Sequence, residues 1–226
     1  MDRESFMLRI REALEVGQTT PPREQAPAVD EALARLASSD DPLVTMFAER
    51  AEAVGMHVHR CPASELTQRL IALLREVGAR RIATSVGSIP QALGLNESLR
   101  RAGFELVDWK KQPGFEAQYE LDAGITDVHA AFAETGTLVC SSDAGHSRGL
   151  SLVPPTHIAL VRETDILPDM IDYWPRLRGL SGADLPSSQA FITGPSKTAD
   201  IEGVLIQGVH GPERVEIMIV GDGGEA

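Results

Sequence analysis

The chain has 226 residues, which fits one large domain or one domain with a small appendage. Hydrophobic residues make up 42% and charged residues 24% of it, which is typical of globular proteins and excludes a disordered or fibrous chain. The formal net charge of −12 disfavours binding to nucleic acid or to an anionic membrane surface, so we expect neither as a partner.

The sequence predicts a helical arm over residues 1–40 and a main domain over residues 41–226. Apolar side chains recur at helical spacing over residues 5–16, which predicts a helix, and residues 28–37 predict a second short helix. Two hypotheses are open for this arm, packing on the domain or docking to a partner. We favour packing, because amphipathic helices usually bury their apolar face within their own protein.

From residue 41 onward, predicted helices and strands alternate along the chain. Helices are predicted over 41–54, 64–77, 96–101, 126–133 and 169–177. Strands are predicted over 56–60, 81–85, 104–109, 137–141, 157–162, 190–193 and 215–220. This alternation predicts an α/β fold whose mainly parallel sheet carries helices on both faces. Ligands bind such sheets at the carboxyl ends of strands, so residues that follow strands are the candidates for a site.

The sequence also bears on location and redox chemistry. No apolar run approaches the roughly 18 residues of a membrane span, and no signal-peptide core follows the charged start, so we expect a cytoplasmic protein. Cys61 and Cys140 lie far apart and cannot alone hold an iron–sulfur centre. Any redox chemistry must therefore come from a bound cofactor or from another subunit.

Two short loops after predicted strands carry polar groups. Gly87 and Ser88 follow the strand at 81–85, where a small turn lets backbone N–H groups approach an anion. His146 and Arg148 lie in a glycine-flanked loop, where arginine suits a carboxylate or phosphate and histidine titrates near neutral pH. An ordinary turn and an exposed surface loop are the alternatives that remain open.

Glu134 is the candidate for a base or nucleophile. It is predicted at the end of the helix over 126–133, where the helix dipole opposes a carboxylate, and Thr135 and Gly136 then lead into an apolar strand. A carboxylate held near apolar walls suits acid–base or nucleophilic chemistry. The alternative is a solvated glutamate at a helix end.

The densest polar segment follows the strand predicted over 190–193. It offers a glycine turn, hydroxyls, an ammonium group and carboxylates that suit an oxyanion or phosphate, and a histidine between two glycines follows before the last strand. The candidate ligand-binding residues here are Gly194, Ser196, Lys197, Thr198, Asp200 and His210. Asp200 suits either a sugar hydroxyl or an ion pair with Lys197 that holds the loop.

No metal site is predicted from the histidines. His57 and His59 share one face of a strand, which is usually solvated, and no clustered metal-ligand motif occurs. Asp127 and His129 lie on one predicted helix, and no third ligand is near them in sequence.

Five short motifs together resemble the LUD-domain family over about residues 41–226. They are G-I-T at 124–126, A-E-T-G-T at 133–137, P-P-T-H-I at 154–158, T-G-P-S-K-T-A-D-I-E at 193–202 and G-V-H-G-P at 208–212. The last two in combination are specific, whereas each short motif alone is not. The resemblance implies a fold similar to the NagB/RpiA/CoA-transferase superfamily.

The resemblance also implies a function. C-type members of this family are encoded with two iron–sulfur proteins, and together these support the oxidation of L-lactate to pyruvate. The resemblance therefore implies that this chain is a subunit without a cofactor of its own, and that its partner subunits carry iron–sulfur clusters. A larger type in the family joins the LUD domain to a ferredoxin-like part, and this sequence lacks the cysteine clusters of that type.

A second hypothesis is an independent enzyme that acts on a small anionic substrate. Glu134-Thr135-Gly136 resembles the Glu-x-Gly of CoA transferases, in which the glutamate becomes an acyl-CoA thioester. Such an enzyme would be CoA-transferase-like or sugar-phosphate isomerase-like, with Glu134 as base or nucleophile. Under both hypotheses we expect Glu134 and the loop at 196–198 to meet at one rim of the sheet and bind a small anionic ligand.

Overall fold

The computed structural model describes residues 2–17, 30, 34–111, 116–182, 184–201 and 204–221. The chain divides into two compact units, Met1–Arg35 and Leu36–Ala226. The first unit contains helix α1 (Arg3–Gly17), which confirms the helix predicted over 5–16. Most of the helix predicted over 28–37 lies outside the described residues, and its described residues 34–37 are not helical.

The second unit alternates helices and strands, as the sequence predicts. The helices are α2 (Leu43–Ala53), α3 (Ala63–Glu76), α4 (Ser88–Ala92), α5 (Leu95–Arg101), α6 (Glu116–Tyr119), α7 (Gly149–Leu152) and α8 (Met170–Arg178). The strands are β1 (His57–Pro62), β2 (Arg81–Thr84), β3 (Glu105–Leu106), β4 (Ala123–Asp127), β5 (Ala130–Phe132), β6 (Thr137–Ser142), β7 (Thr156–Arg162), β8 (Ile166–Leu167), β9 (Ser188–Ile192), β10 (Lys197–Ile201), β11 (Val204–Gln207) and β12 (Arg214–Gly221).

The centre of the unit is a parallel sheet of six strands in the order β1-β12-β7-β4-β2-β3. This sheet and its helices confirm the predicted α/β fold class. Every residue of β4 is buried, because helices or other strands cover both faces of the sheet at this point. Within the described residues, no helix is long and apolar enough to cross a membrane.

Two apolar layers cover the sheet. Helix α3 places Leu66, Leu70 and Leu74 at helical spacing, and together with α4 and α5 it packs on one face. Helix α2 packs Phe47 and Ala51 on the opposite face, beside a second sheet with the strand order β8-β5-β6-β9. Strands β10 and β11 form a separate antiparallel hairpin.

The helix predicted over 126–133 is wrong, because these residues end β4 and then form β5. Nearly all of them are buried, so apolar and polar side chains do not alternate along them as they do in a strand with one exposed face. Such a pattern does not distinguish a buried strand from a buried helix. Thr126, whose hydroxyl suits a helix cap, instead contacts Nε2 of His157 with its Oγ1 at 2.9 Å.

The sheet has a topological switch between β2 and β4. From β2 the chain continues to β3 at the edge of the sheet, whereas from β4 it passes through β5 and β6 of the second sheet and returns to the central sheet as β7, on the opposite side of β4. Loops that leave neighbouring strands in opposite directions open a crevice at the carboxyl ends of those strands. The fold therefore favours a ligand site where β2 and β4 end.

Candidate functional site

The carboxylate of Asp127 lies at this crevice, buried against the turn that follows β2. Its Oδ1 accepts a hydrogen bond from Ser85 Oγ at 2.6 Å, and Ser85 Oγ accepts one from the Asp127 backbone N–H at 3.2 Å. A Cβ at position 87 would lie 1.9 Å from Asp127 Oδ2. Gly87, which the sequence predicts as part of an anion-binding turn, thus leaves the space that this carboxylate fills.

His146 lies between two carboxylates. Its Nε2 is 3.0 Å from Asp127 Oδ1, and its Nδ1 is 2.8 Å from Asp143 Oδ1. Both ring nitrogens donate hydrogen bonds only when the imidazole is protonated. The bond to Asp127 raises the pKa of His146, although burial opposes this. Burial also opposes ionisation of Asp127, but the hydrogen bonds from His146 and Ser85 lower the pKa of its carboxyl to about 2.

His129 completes the cluster from the start of the β5–β6 hairpin. Its ring centroid is 4.6 Å from that of His146, and its Nε2 is 3.6 Å from Asp143 Oδ2. Nδ1 accepts a hydrogen bond from the Ser141 backbone N–H at 3.2 Å, so the neutral ring carries its proton on Nε2. Burial, together with the charge of His146, lowers the pKa of His129.

The cluster opens into two cavities that share Ser142, Asp143 and Ser187. The first has a volume of about 430 Å³, and its other lining residues are Trp109, His146, Ser147, Arg148 and Ser188. The second has a volume of about 670 Å³ and extends from His129 to Tyr173, Arg176 and an apolar wall of leucines and a proline. Trp109 is fixed at the first cavity by its Nε1–H, which donates to the carbonyl of Thr84 at 2.9 Å.

The first cavity offers chemistry that suits a small anion. It combines an imidazole, a guanidinium, several serine hydroxyls and an aromatic wall. Ser88, a predicted ligand-binding residue, lies near the same edge of the sheet, where its Oγ accepts a hydrogen bond from Arg162 at 2.7 Å.

The structure does not bring Glu134 to this cluster. Glu134 lies half-buried in the turn between β5 and β6, where its backbone N–H donates to the carbonyl of Pro168 at 3.0 Å. It is five residues beyond His129 along the hairpin, which corresponds to roughly 16 Å at the rise of a strand. Its predicted position at a helix end is therefore wrong.

The turn of Glu134 does approach the Gly194 loop. Thr137 Oγ1 is 2.6 Å from Thr135 Oγ1 and 2.8 Å from Thr193 Oγ1, so three hydroxyls connect the two segments. The contact joins Thr135 and Thr137 to Thr193, whereas the expected meeting of Glu134 with the loop at 196–198 stays a prediction. The contact lies beside the end of α2 that leads into β1, and not at the carboxyl edge of the parallel sheet.

Lys197 lies at the same end of α2. Its Nζ donates to the carbonyl of Val54 at 2.8 Å, just after the last residue of the helix. A cation at this position interacts favourably with the negative end of the helix dipole. The geometry therefore gives Lys197 a partner within the fold, whereas its predicted role toward a ligand stays a prediction.

Three other predicted residues, Gly194, Ser196 and His210, line a cavity of about 240 Å³ near the amino ends of β7 and β12. Backbone hydrogen bonds join the two motifs here, from Ser196 N–H to Pro212 and from Gly208 N–H to Ser196, each 2.9 Å long.

Two further predicted residues lie on β10. Thr198 pairs with Ile206 of β11, and the side chain of Asp200 lies outside the described residues. The predicted ligand-binding residues are thus divided between two places. Gly87 and Ser88 lie at the carboxyl ends of the parallel strands, whereas Gly194, Ser196 and His210 lie near the amino ends.

A family model described as the LUD domain matches residues 44–220. This chain belongs to the LUD domain family. The resemblance drawn from the sequence motifs is therefore confirmed.

Several relatives of this LUD domain protein are named lactate utilization protein C. The one from Exiguobacterium sp. is 34% identical over 98% of this chain and 96% of its own length. The one from Halalkalibacterium halodurans is 34% identical over 81% of each chain. Lactate utilization protein C 1 of Bacillus mycoides is 30% identical over 98% of this chain and 97% of its own.

A solved structure also resembles this LUD domain protein. The crystal structure of a DUF162 family protein from Deinococcus radiodurans has a TM-score of 0.61 and 23% sequence identity, and the match covers 79% of this chain and 96% of that one. This likeness supports the fold.

Proposed function

We propose that this LUD domain protein is a C-type subunit of L-lactate utilization. In this role it works with iron–sulfur partner proteins in the oxidation of L-lactate to pyruvate. The observation that carries the proposal is its likeness, over 98% of the chain, to a protein named lactate utilization protein C.

The two thiols of the chain support a division of labour with iron–sulfur partners. Cys61 and Cys140 are both buried, and burial raises the pKa of each thiol, that of Cys140 to about 12. Buried thiols that stay protonated are poor nucleophiles and poor ligands. We therefore assign the iron–sulfur clusters to the partners and ligand binding to this chain.

We assign a small carboxylate ligand to the cavity of about 430 Å³ beside His146. Arg148 brings positive charge to this cavity, and the imidazole of His146 and the serine hydroxyls supply hydrogen-bonding groups. Asp127, buried behind His146, keeps the imidazole oriented toward the opening.

Growth on L-lactate tests this role. In a lactate-utilising strain whose own counterpart gene is deleted, this chain is expected to restore growth and to co-purify with iron–sulfur proteins. Normal growth of the deletion strain on L-lactate, combined with no complex at micromolar concentration, would overturn the proposal.

One observation favours the alternative of an independent enzyme. The hydroxyls of Thr135, Thr137 and Thr193 join the turn of Glu134 to the Gly194 loop, and a CoA-transferase-like or isomerase-like site would use these two segments together. Under this alternative, the purified chain turns over a CoA ester or sugar phosphate, and Glu134→Gln reduces turnover by orders of magnitude while the fold stays intact. Unchanged turnover in Glu134→Gln excludes Glu134 from the mechanism.

A further inference from the structure

We propose that His129, Asp143 and His146 form a binding site for one divalent transition-metal ion. The sequence offers no third ligand near His129, but the fold brings two residues of the loop after β6 beside it. The proposal concerns the chain alone and does not depend on its role in lactate utilization.

The donor atoms have a spacing that one ion can bridge. One ligand atom from each of the three side chains lies within 4.8 Å of the other two. Ligands of a tetrahedral ion with bonds of about 2.0–2.2 Å lie roughly 3.3–3.6 Å apart. The contact between Asp143 and His129 is 3.6 Å and that between Asp143 and His146 is 2.8 Å, so modest side-chain shifts create the ligand spacing.

An outer layer of hydrogen bonds already orients His146. When Nδ1 coordinates the ion, Nε2 stays protonated and donates a hydrogen bond to Asp127. The Asp127 side chain is 7% exposed and also accepts a hydrogen bond from Ser85. A carboxylate behind a metal-bound histidine fixes the tautomer and increases the basicity of the ligand. The ion replaces the direct contact of 2.8 Å between His146 Nδ1 and Asp143 Oδ1.

The donor set selects the class of ion. Two imidazole nitrogens and one carboxylate oxygen suit Zn²⁺, Fe²⁺, Co²⁺ or Ni²⁺, whereas Mg²⁺ and Ca²⁺ prefer oxygen ligands only. Asp143 is exposed, and cavities open on both sides of it. An ion at this place therefore keeps positions for water or a ligand, as catalytic sites do and closed structural sites do not.

His129 is the weakest of the three ligands. Its Nδ1 accepts a hydrogen bond from the Ser141 backbone N–H, so coordination through Nε2 requires the ring proton to move to Nδ1 and that bond to open. His146 needs no such change, because its second nitrogen already faces an acceptor. The structure thus predicts an order of importance among the ligands.

Metal titration of the purified chain tests the site. Chelator-treated protein is titrated with Zn²⁺ by calorimetry and with Co²⁺ by visible absorption, and one saturable equivalent is expected. The Co²⁺ spectrum should show no thiolate charge-transfer band, because neither cysteine is among the three ligands and burial raises the pKa of both thiols. Absence of saturable binding, or a strong thiolate band, would overturn the proposal.

Variants test the assignment of the ligands. His146→Ala and Asp143→Ala should weaken binding by 100-fold or more, His129→Ala should weaken it less, and Asp127→Asn by about 10- to 100-fold. His57→Ala removes an exposed histidine outside the cluster and should bind as the wild type does. Circular dichroism and melting of the metal-free variants verify folding. Wild-type affinity in a folded His146→Ala or Asp143→Ala protein would contradict the site.

Discussion

The carboxylate of Asp127 occupies the space in which a side chain at Gly87 would begin. A Cβ added at position 87 lies within 2.1 Å of both carboxylate oxygens. Asp127 cannot retreat without breaking its hydrogen bonds to Ser85 and His146. The turn after β2 and the end of β4 therefore depend on each other.

Gly87→Ala is expected to destabilise the protein and to displace His146. Overpacking a well-packed site costs about 1–3 kcal/mol, and lost hydrogen bonds to Asp127 add to this cost. Urea unfolding of the variant measures the change in free energy. A free energy of unfolding equal to that of the wild type would contradict the close approach of Gly87 and Asp127.

Asp127→Asn should cost about 2 kcal/mol of stability, because a buried, charged acceptor loses its charge while Ser85 and His146 remain beside it. Asp108→Asn is a matched control, since Asp108 pairs with Lys111 at the exposed surface. Exposed pairs contribute little, so this control should change the free energy of unfolding by less than about 1 kcal/mol. Equal effects of the two substitutions would mean that the buried pair does not stabilise the fold.

A pair of glycines tests the packing of the β5–β6 turn on α2. Gly136 and Gly78 have similar left-handed φ angles of +66° and +71°. A Cβ at Gly136 would lie 2.4 Å from the backbone nitrogen of Ala51, whereas nothing lies within 4 Å of one at Gly78. Gly78→Ala should therefore cost about 1–2 kcal/mol for its backbone conformation alone, and Gly136→Ala should cost about 1–3 kcal/mol more. Thermal and urea unfolding of both variants measure the difference.

His157 should make stability depend on pH in mildly acidic solution. Burial lowers the pKa of His157 to about 4, below its ordinary value of 6.5. Between these values the unfolded chain binds more protons than the folded one, so stability is lost as the pH falls from 6.5 to 4. The loss amounts to about 3 kcal/mol.

Urea unfolding between pH 7 and pH 4.5 measures this dependence, and His157→Leu should show a smaller loss over the same range. Equal pH profiles for the wild type and His157→Leu would show that His157 does not contribute in this way.

The sequence predicts the layered part of the fold because its periodic patterns report on burial. The leucines of α3 recur at helical spacing, and glycines mark the ends of several helices, so α2, α3, α5 and α8 are close to their predicted bounds. The sequence does not predict strand β4, because a strand that is buried on both faces has no alternating pattern. That error places Asp127 and His129 on a helix and hides their position at the end of a strand.

The candidate site is predicted only in part for a related reason. Gly87 and His146 are singled out as members of loops after strands, and the structure brings both to the cluster around Asp127. Asp143 and Ser85 are missed, because their roles depend on pairing of distant strands that no local pattern reports. Lys197 stands out by local polarity, but its ammonium group lies at the end of α2.

Growth of a counterpart-deleted strain on L-lactate, rescued by wild type, His146→Ala or Glu134→Gln, tests most directly where the functional centre lies. With comparable amounts of folded protein in each strain, we expect His146→Ala to fail and Glu134→Gln to restore growth. Full growth with His146→Ala and loss of growth with Glu134→Gln would contradict the assignment of function to the Asp127–His146 crevice.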